Sequence, residues 1–182
     1  MAETFTKNDI WNFAGKAGLV LGLVSTSYIL IDHFLISGLI SEKAPLAASL
    51  VQFALWAAKF AGCIWLMSFF LKRFASEHKD ASHYDVRSTG IATALTSALI
   101  FAAFSMAFVQ FIAPDTMAEA MEAAKETYSS MLDSNSLAAM DQMMDKMPVI
   151  TLISNLIYCF LFGTVLSSIF SRNIPSRNPF EN

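Results

Sequence analysis

The chain has 182 residues, 55% of them hydrophobic and 15% charged, with a mean hydropathy of +0.50, which is too apolar for an ordinary soluble domain and points to a membrane protein. A net charge of −3 and a pI near 5.5, with lysine and arginine never clustered beyond Lys72-Arg73, leave no basic footprint for nucleic acid. The apolar residues fall in long blocks and lack the spacing of two seen in membrane barrel strands, so helical spans are expected.

The opening stretch MAETFTKNDIWNFAGK has no small-x-small cleavage site after its apolar block, so the first span is expected to remain uncleaved. Asn8 and Asp9 are placed to cap a helix starting near Ile10, with Trp11 and Phe13 suited to the interface and Lys16 to snorkelling. The first span then runs over about 14–40, and after the turn SEKAP a second covers about 45–71, broken only by Lys59. KRFASEHKDASHYDVR reads as a solvated loop, followed by an uncharged third span over about 88–113. A polar, acidic segment over about 114–147 precedes a fourth span at about 148–171; every span exceeds the roughly 20 residues needed to cross the hydrocarbon core.

Within that acidic segment Thr116 and Glu119 fit a capping box, and Met117, Met121, Ala124, Tyr128 and Met131 recur at helical spacing, which predicts an amphipathic helix. DSNS at 133–136 interrupts it, and Leu137, Met140, Met144 and Met147 trace a second stripe before Pro148. Two short helices on the outer membrane surface, or capping the bundle, are expected. Lys7, Lys16, Lys72, Arg73, Lys79, Arg87, Arg172 and Arg177 fall on one side of the membrane, against Lys43, Lys125 and Lys146 on the other. Both termini and the 72–87 loop are therefore expected in the cytoplasm.

Chemistry-bearing residues inside the spans are few. A carboxylate at membrane depth costs roughly 2.5 to 3.5 kcal/mol on insertion scales, so Asp32 is expected to face protein or a water-filled cleft and to have a partner. At about 100° per residue, Gly18, Gly22, Ser25, Ile29 and Asp32 share one face, a small and polar strip suited to close helix contact. Lys59 is the expected partner: Asp32 lies on the order of 13 Å and Lys59 about 21 Å from the outer turn, and lysine leans toward the N-terminal, outward end of its helix. Gln52, Lys59, Gly62 and Cys63 form the face that would meet the first span, while Gly163 is the small residue of the fourth.

Two readings of Asp32, His33 and Lys59 stand side by side. They form either a neutralised pair that fixes helix register, with His33 a hydrogen-bonded interface residue, or a proton or ion relay. The first is preferred because a continuous path needs more polar residues than the spans carry. Asn155 and Cys159 share a face of the fourth span, and with Gln110 they read as interhelical polar contacts. Cys63 and Cys159, at different depths, are expected to be free, buried thiols.

No catalytic motif, metal site or cofactor signature is found. GxSxG, P-loop and HExxH patterns are absent, and His78 and His83, five apart, would stand about 140° apart on a helix. Seven of the ten methionines lie in the outer segment, but no His or Cys accompanies them for Cu(I), so they are expected to pack against lipid or a partner surface. The acidic residues there read as a solvated face.

NDIWNFAGKAGLVLGL at the start, FVQFIAPDTMAEAMEAAKE after the third span and FGTVLSSIFSR closing the fourth resemble a family of four-span proteins known as domain of unknown function 4199, typical of Bacteroidetes. The resemblance implies an all-α, polytopic four-helix bundle as a single membrane domain over 1–182, sited in the bacterial inner membrane. It carries over no catalytic residue. Family members are often encoded near a polyprenol-phosphate glycosyltransferase, which implies a partner of that kind. Packing faces combined with missing chemistry lead to the expectation of a non-enzymatic accessory or scaffold subunit, in contact with membrane lipids and with another membrane protein or a second copy of itself. The alternative is a small oligomeric transporter or channel with a proton-linked site at Asp32, His33 and Lys59.

Overall fold

A computed structural model describes residues 6–35, 45–78, 80–128 and 133–174, and among them every regular element is a helix. The elements are α1 (Lys7–Ile31), α2 (Pro45–Glu77), α3 (His83–Ala107), α4 (Pro114–Tyr128) and α5 (Ser134–Arg172). The first and third are prolonged by π-helical turns at 32–35 and at Phe108–Ile112. Four stretches, Lys7–Leu35, Ser49–Glu77, His83–Ile112 and Asp145–Arg172, are long and apolar enough to cross a membrane. This is a membrane protein with an all-α fold.

Capping residues account for the helix starts and correct several sequence-based boundaries. Thr6 takes the N-cap of α1, with Asp9 returning a bond to the Thr6 amide at 2.8 Å, so the helix begins a turn earlier than Asn8 and Asp9 as caps would have it. Ser82 and Asp85 form the same box at α3, which draws His83 to Arg87 out of the expected loop into the helix. At the other side of that loop α2 runs on through Lys72-Arg73 to Glu77, closed by an Arg73–Glu77 ion pair at 2.8 Å. Pro114 already starts α4, so Thr116 sits inside the first turn and is no N-cap; its side chain lies outside the described residues. The end of the first span at 36–40 and most of SEKAP also lie outside them.

The largest departure is at the fourth span. The expected second short helix and the span are one helix of 39 residues, with Pro148 inside it. Proline's fixed φ is compatible with a helix, and the carbonyl that loses its donor stands at the edge of the apolar stretch, where water can satisfy it. At 1.5 Å per residue α5 is about 58 Å long, roughly twice the hydrocarbon thickness, so its first turns project beyond the membrane.

Helix α3 is the middle of the bundle: its most extensive contacts are with α5 on one flank and α1 on the other, while α2 leans on them over shorter stretches. Small residues make those approaches possible. A Cβ at Gly18 would stand 2.6 Å from the Thr96 Cβ, and one at Gly22 2.9 Å from the Ile100 Cβ, so the small face of the first span packs on α3. A Cβ at Gly163 would meet the Ala94 Cβ at 2.5 Å, and one at Gly90, a residue whose role the sequence did not signal, would land on the Ser167 hydroxyl. Gly62, expected at an interface, has open space around its Cα. The buried strip of α3 is rich in hydroxyls, and Thr89, Thr93, Thr96 and Ser105 each donate to the carbonyl four residues back, so none is left unsatisfied in the apolar interior. Helix α2 enters the core only with its lower half, where Met67, Leu71 and Phe74 are fully buried; Leu50 and Phe53 at its upper end are 72% and 67% exposed.

Overpacking a tight helix contact costs about 1–3 kcal/mol, so Gly90→Ala and Gly163→Ala are expected to lower the melting temperature of the purified protein in detergent. Gly62→Ala is expected to leave it unchanged or slightly raised, because alanine is the better helix former. A pH effect belongs to the N-cap of α5. Asp133 accepts the Ser136 amide at 2.9 Å, and its bonds from the Ser136 side chain and amide hold its carboxyl below the usual range. A depressed folded pKa means the cap contributes fully above the ordinary carboxylate range and is lost as pH falls through the lower folded value. Chemical shifts of residues 134–137 should therefore move toward coil on acidification, and Asp133→Asn should abolish that movement.

Candidate functional site

The four spans do not close completely on one another. Because α2 is packed tightly only below Met67, a cavity of about 60 Å³ remains between all four, with room for a few water molecules. Its polar lining is Ser25 from α1, Lys59 and Cys63 from α2, Ser97 from α3, and Tyr158 and Cys159 from α5. Ser25 Oγ and Cys63 Sγ are 3.5 Å apart, a contact that ties α1 to α2 at this level. Both cysteines are free and half-buried, and they border the same cavity, where the sequence had placed them at different depths.

Lys59 finds aromatic faces where a carboxylate was expected. Its Nζ lies 4.3 Å from the centre of the Phe101 ring and 4.8 Å from that of Tyr28, so α3 and α1 each supply a π-face to one ammonium. No ion pair joins it to Asp32 among the described residues. Tyr28 lies one turn below Asp32 on α1, and its ring is what the lysine meets on that helix. The sequence did contain that signal, since Tyr28 precedes Asp32 by four residues and so shares its face, but a search confined to charges passes over it.

Asp32 opens the π-helical turn at the end of α1, and its Oδ1 is buried with no hydrogen-bond partner among the described residues. His33 in the same turn is half-buried and meets the Phe108 ring edge-on at 5.2 Å. Phe108 is itself the first residue of the π-helical turn that ends α3, so the two irregular helix ends abut through this pair. Asp32, His33 and Lys59 thus belong to two places, the π-turn contact and the cavity below it. Asn155 is half-buried and forms no interhelical hydrogen bond among the described residues; Gln110 is exposed.

At the opposite end of the bundle polar contacts join α3 and α5 directly. His83 Nδ1 is 3.0 Å from the Ser171 carbonyl, and Ser167 Oγ donates to the Arg87 carbonyl at 2.9 Å. A carbonyl can only accept, so Nδ1 of His83 carries the hydrogen. His78, the residue that follows α2, is instead set against the Phe74 carbonyl in the last turn of that helix. Among the described residues no three His, Cys, Asp or Glu side chains come together in a way that would hold a metal ion.

A family model described as protein of unknown function (DUF4199) matches residues 16–172, which takes in most of the first span, the other three spans, the cavity and both π-turns. The chain belongs to this family. Neither the curated proteins nor the solved structures give a match. Every residue of the cavity and of the α3–α5 contacts lies within the DUF4199 region, so the site described is one of the domain itself and of no appended segment.

Ring capture of Lys59 has an energetic consequence that separates it from an ion pair. In a double-mutant cycle on detergent stability, Lys59→Met with Phe101→Leu should show a coupling of about 0.5–2 kcal/mol. The cycle Lys59→Met with Asp32→Asn should be additive to within about 0.5 kcal/mol.

Proposed function

We propose that this DUF4199 protein is a non-enzymatic accessory or scaffold subunit of a membrane complex, held in the bacterial inner membrane with both termini in the cytoplasm. The single observation that carries this reading is the way polar groups of the interior, Asp32 Oδ1 and Thr164 Oγ1 excepted, are spent on helix contacts. Thr89, Thr93, Thr96 and Ser105 of α3 bond within their own helix, Lys59 is taken by two rings, and Ser25 is spent on Cys63. What remains is a cavity of about 60 Å³ bounded by all four spans and lined mainly by apolar side chains. The partner is a membrane protein, and a polyprenol-phosphate glycosyltransferase is the kind that the family resemblance brings forward. The exposed apolar flank of α2, from Leu50 through Phe53 to Trp56, is a surface on which such a partner would sit, beside the part of α2 that packs least on its neighbours.

A second reading has its own support, the orphaned Asp32 Oδ1 above the lysine cavity: a proton-linked transporter in which water bridges the two. Native mass spectrometry of the tagged protein extracted mildly from its own membrane distinguishes them. The accessory reading expects a stoichiometric second membrane protein, lost when Phe53 and Trp56 are both changed to alanine, and no proton flux from the protein alone in liposomes carrying a pH dye. A protein without companions that passes protons, with the flux abolished in Asp32→Asn, would overturn it in favour of the transporter.

A further inference from the structure

Beside the two contacts that pin α3 to α5 lies a recess of about 240 Å³ lined by His83, Tyr84, Arg87, Ser168, Ser171 and Arg172. It carries two guanidinium groups and an imidazole and no carboxylate. Among the described residues neither arginine has an ion-pair partner. The nearest acidic residue in sequence, Asp85, is already engaged, accepting from the Ser82 amide and hydroxyl at 3.0 and 2.8 Å. Among the described residues the positive charge of the recess is thus not neutralised from within.

The position of the recess along the bundle identifies what surrounds it. His83 opens the third membrane-crossing stretch and Arg172 closes the fourth, so both stand where the apolar stretches stop. Tyr84 and Trp11, 76% and 60% exposed, lie at the same end of the bundle, as aromatic residues do at headgroup depth. A second, more apolar furrow of about 410 Å³ adjoins the recess and shares Ser168 and Arg172 with it. It leads from those residues along α5 past Ile169, Val165 and Thr164, which is away from the membrane edge and into the depth of the apolar stretch. Ile169 and Val165 are exposed along it.

We propose that this corner between α3 and α5 is a binding site for a membrane lipid with an anionic phosphate headgroup, the phosphate held by Arg87 and Arg172 and one acyl chain laid in the furrow along α5. Two guanidinium forks at one recess match the oxygens of a phosphate, and a bare soluble phosphate would have no use for the furrow. Tyr84 offers a hydroxyl to the remaining headgroup oxygens, while His83, whose Nδ1 is fixed on Ser171, holds the two helices together at the edge of the recess. The site joins the two helices whose contact centres the fold, so an occupant would tie α3 and α5 together from outside. The inference needs the membrane location of the chain and is independent of whether the protein is a scaffold or a transporter.

The test is a lipid titration on the purified full chain in mild detergent, read as thermal stability and as retained adducts in native mass spectrometry. The probes are phosphatidic acid, phosphatidylcholine, and glycerol 3-phosphate as a headgroup without chains. A saturable stabilisation and retained adducts with phosphatidic acid, absent or at least tenfold weaker with the other two, are expected. Arg87→Gln with Arg172→Gln should weaken that binding by at least about tenfold, while Lys146→Gln, at the other end of the bundle, should not change it. If the arginine variant does not fold, Ile169→Trp, which fills the furrow and leaves both cations in place, should by itself abolish the effect of phosphatidic acid. Equal binding of phosphatidylcholine, binding of glycerol 3-phosphate as tight as that of the lipid, or undiminished lipid binding in whichever of these variants folds, would each overturn the proposal.

Discussion

The close approach of α3 to α1 and α5 is the constraint from which the rest of this structure follows. Lipid tails are as apolar as leucine, so helices in a membrane gain little by burying ordinary hydrophobic side chains and must gain by dense contact. Gly18, Gly22, Gly90 and Gly163 provide it by omitting a side chain where Thr96, Ile100, Ser167 and Ala94 come nearest. With three helices so arranged, α2 has only a shallow seat. Its lower half fits, through Met67, Leu71 and Phe74 and the edge-on contacts of Phe13 with Phe70 and Phe74. Its upper half leaves the cavity that Lys59 enters.

That sequence of causes explains how the interior tolerates a lysine. An ammonium in an apolar cavity needs electrons nearby, and a π-face supplies them without the desolvation that a buried carboxylate would add. Phe101 and Tyr28 come from two different neighbours, so the lysine fixes the height of α2 against α3 and α1 together. The carboxylate stands one turn further out, where the regular helix has given way to a π-turn and the ladder of α1 is already irregular. The two polar groups with the strongest demands are thus kept apart in height: the lysine is met by rings, and the carboxylate keeps one oxygen without a partner among the described residues.

The two ends of the bundle differ for a related reason. At the end holding the π-turns the helices are joined by ring contacts such as His33 with Phe108. At the other end α3 and α5 are joined by directed hydrogen bonds, His83 to the Ser171 carbonyl and Ser167 to the Arg87 carbonyl, near enough to the interface for arginines to accompany them. The directed hydrogen bonds between α3 and α5 lie where the start of α3 meets the end of α5, and the irregular helix ends lie opposite.

The sequence by itself determined the number of spans, their order, and the small faces of the first and fourth, because length, hydropathy and the absence of side chains are properties of a single helix and are read without knowing its neighbours. It missed the boundaries around His83 and Pro148, where capping by Ser82 and Asp85 and the tolerance of proline at the membrane edge outweighed the local pattern. It also recognised Asp32 and Lys59 as the residues in need of partners. Which partners they have was decided by the tertiary structure alone: the heights and rotations of three helices relative to one another set whether a lysine meets a carboxylate or two rings, and those are fixed by packing against Thr96, Ile100 and Ala94 on a different helix. The same holds for the basic recess between α3 and α5, since His83 and Arg172 are far apart in the chain and only the docking of two helix ends brings them to one place.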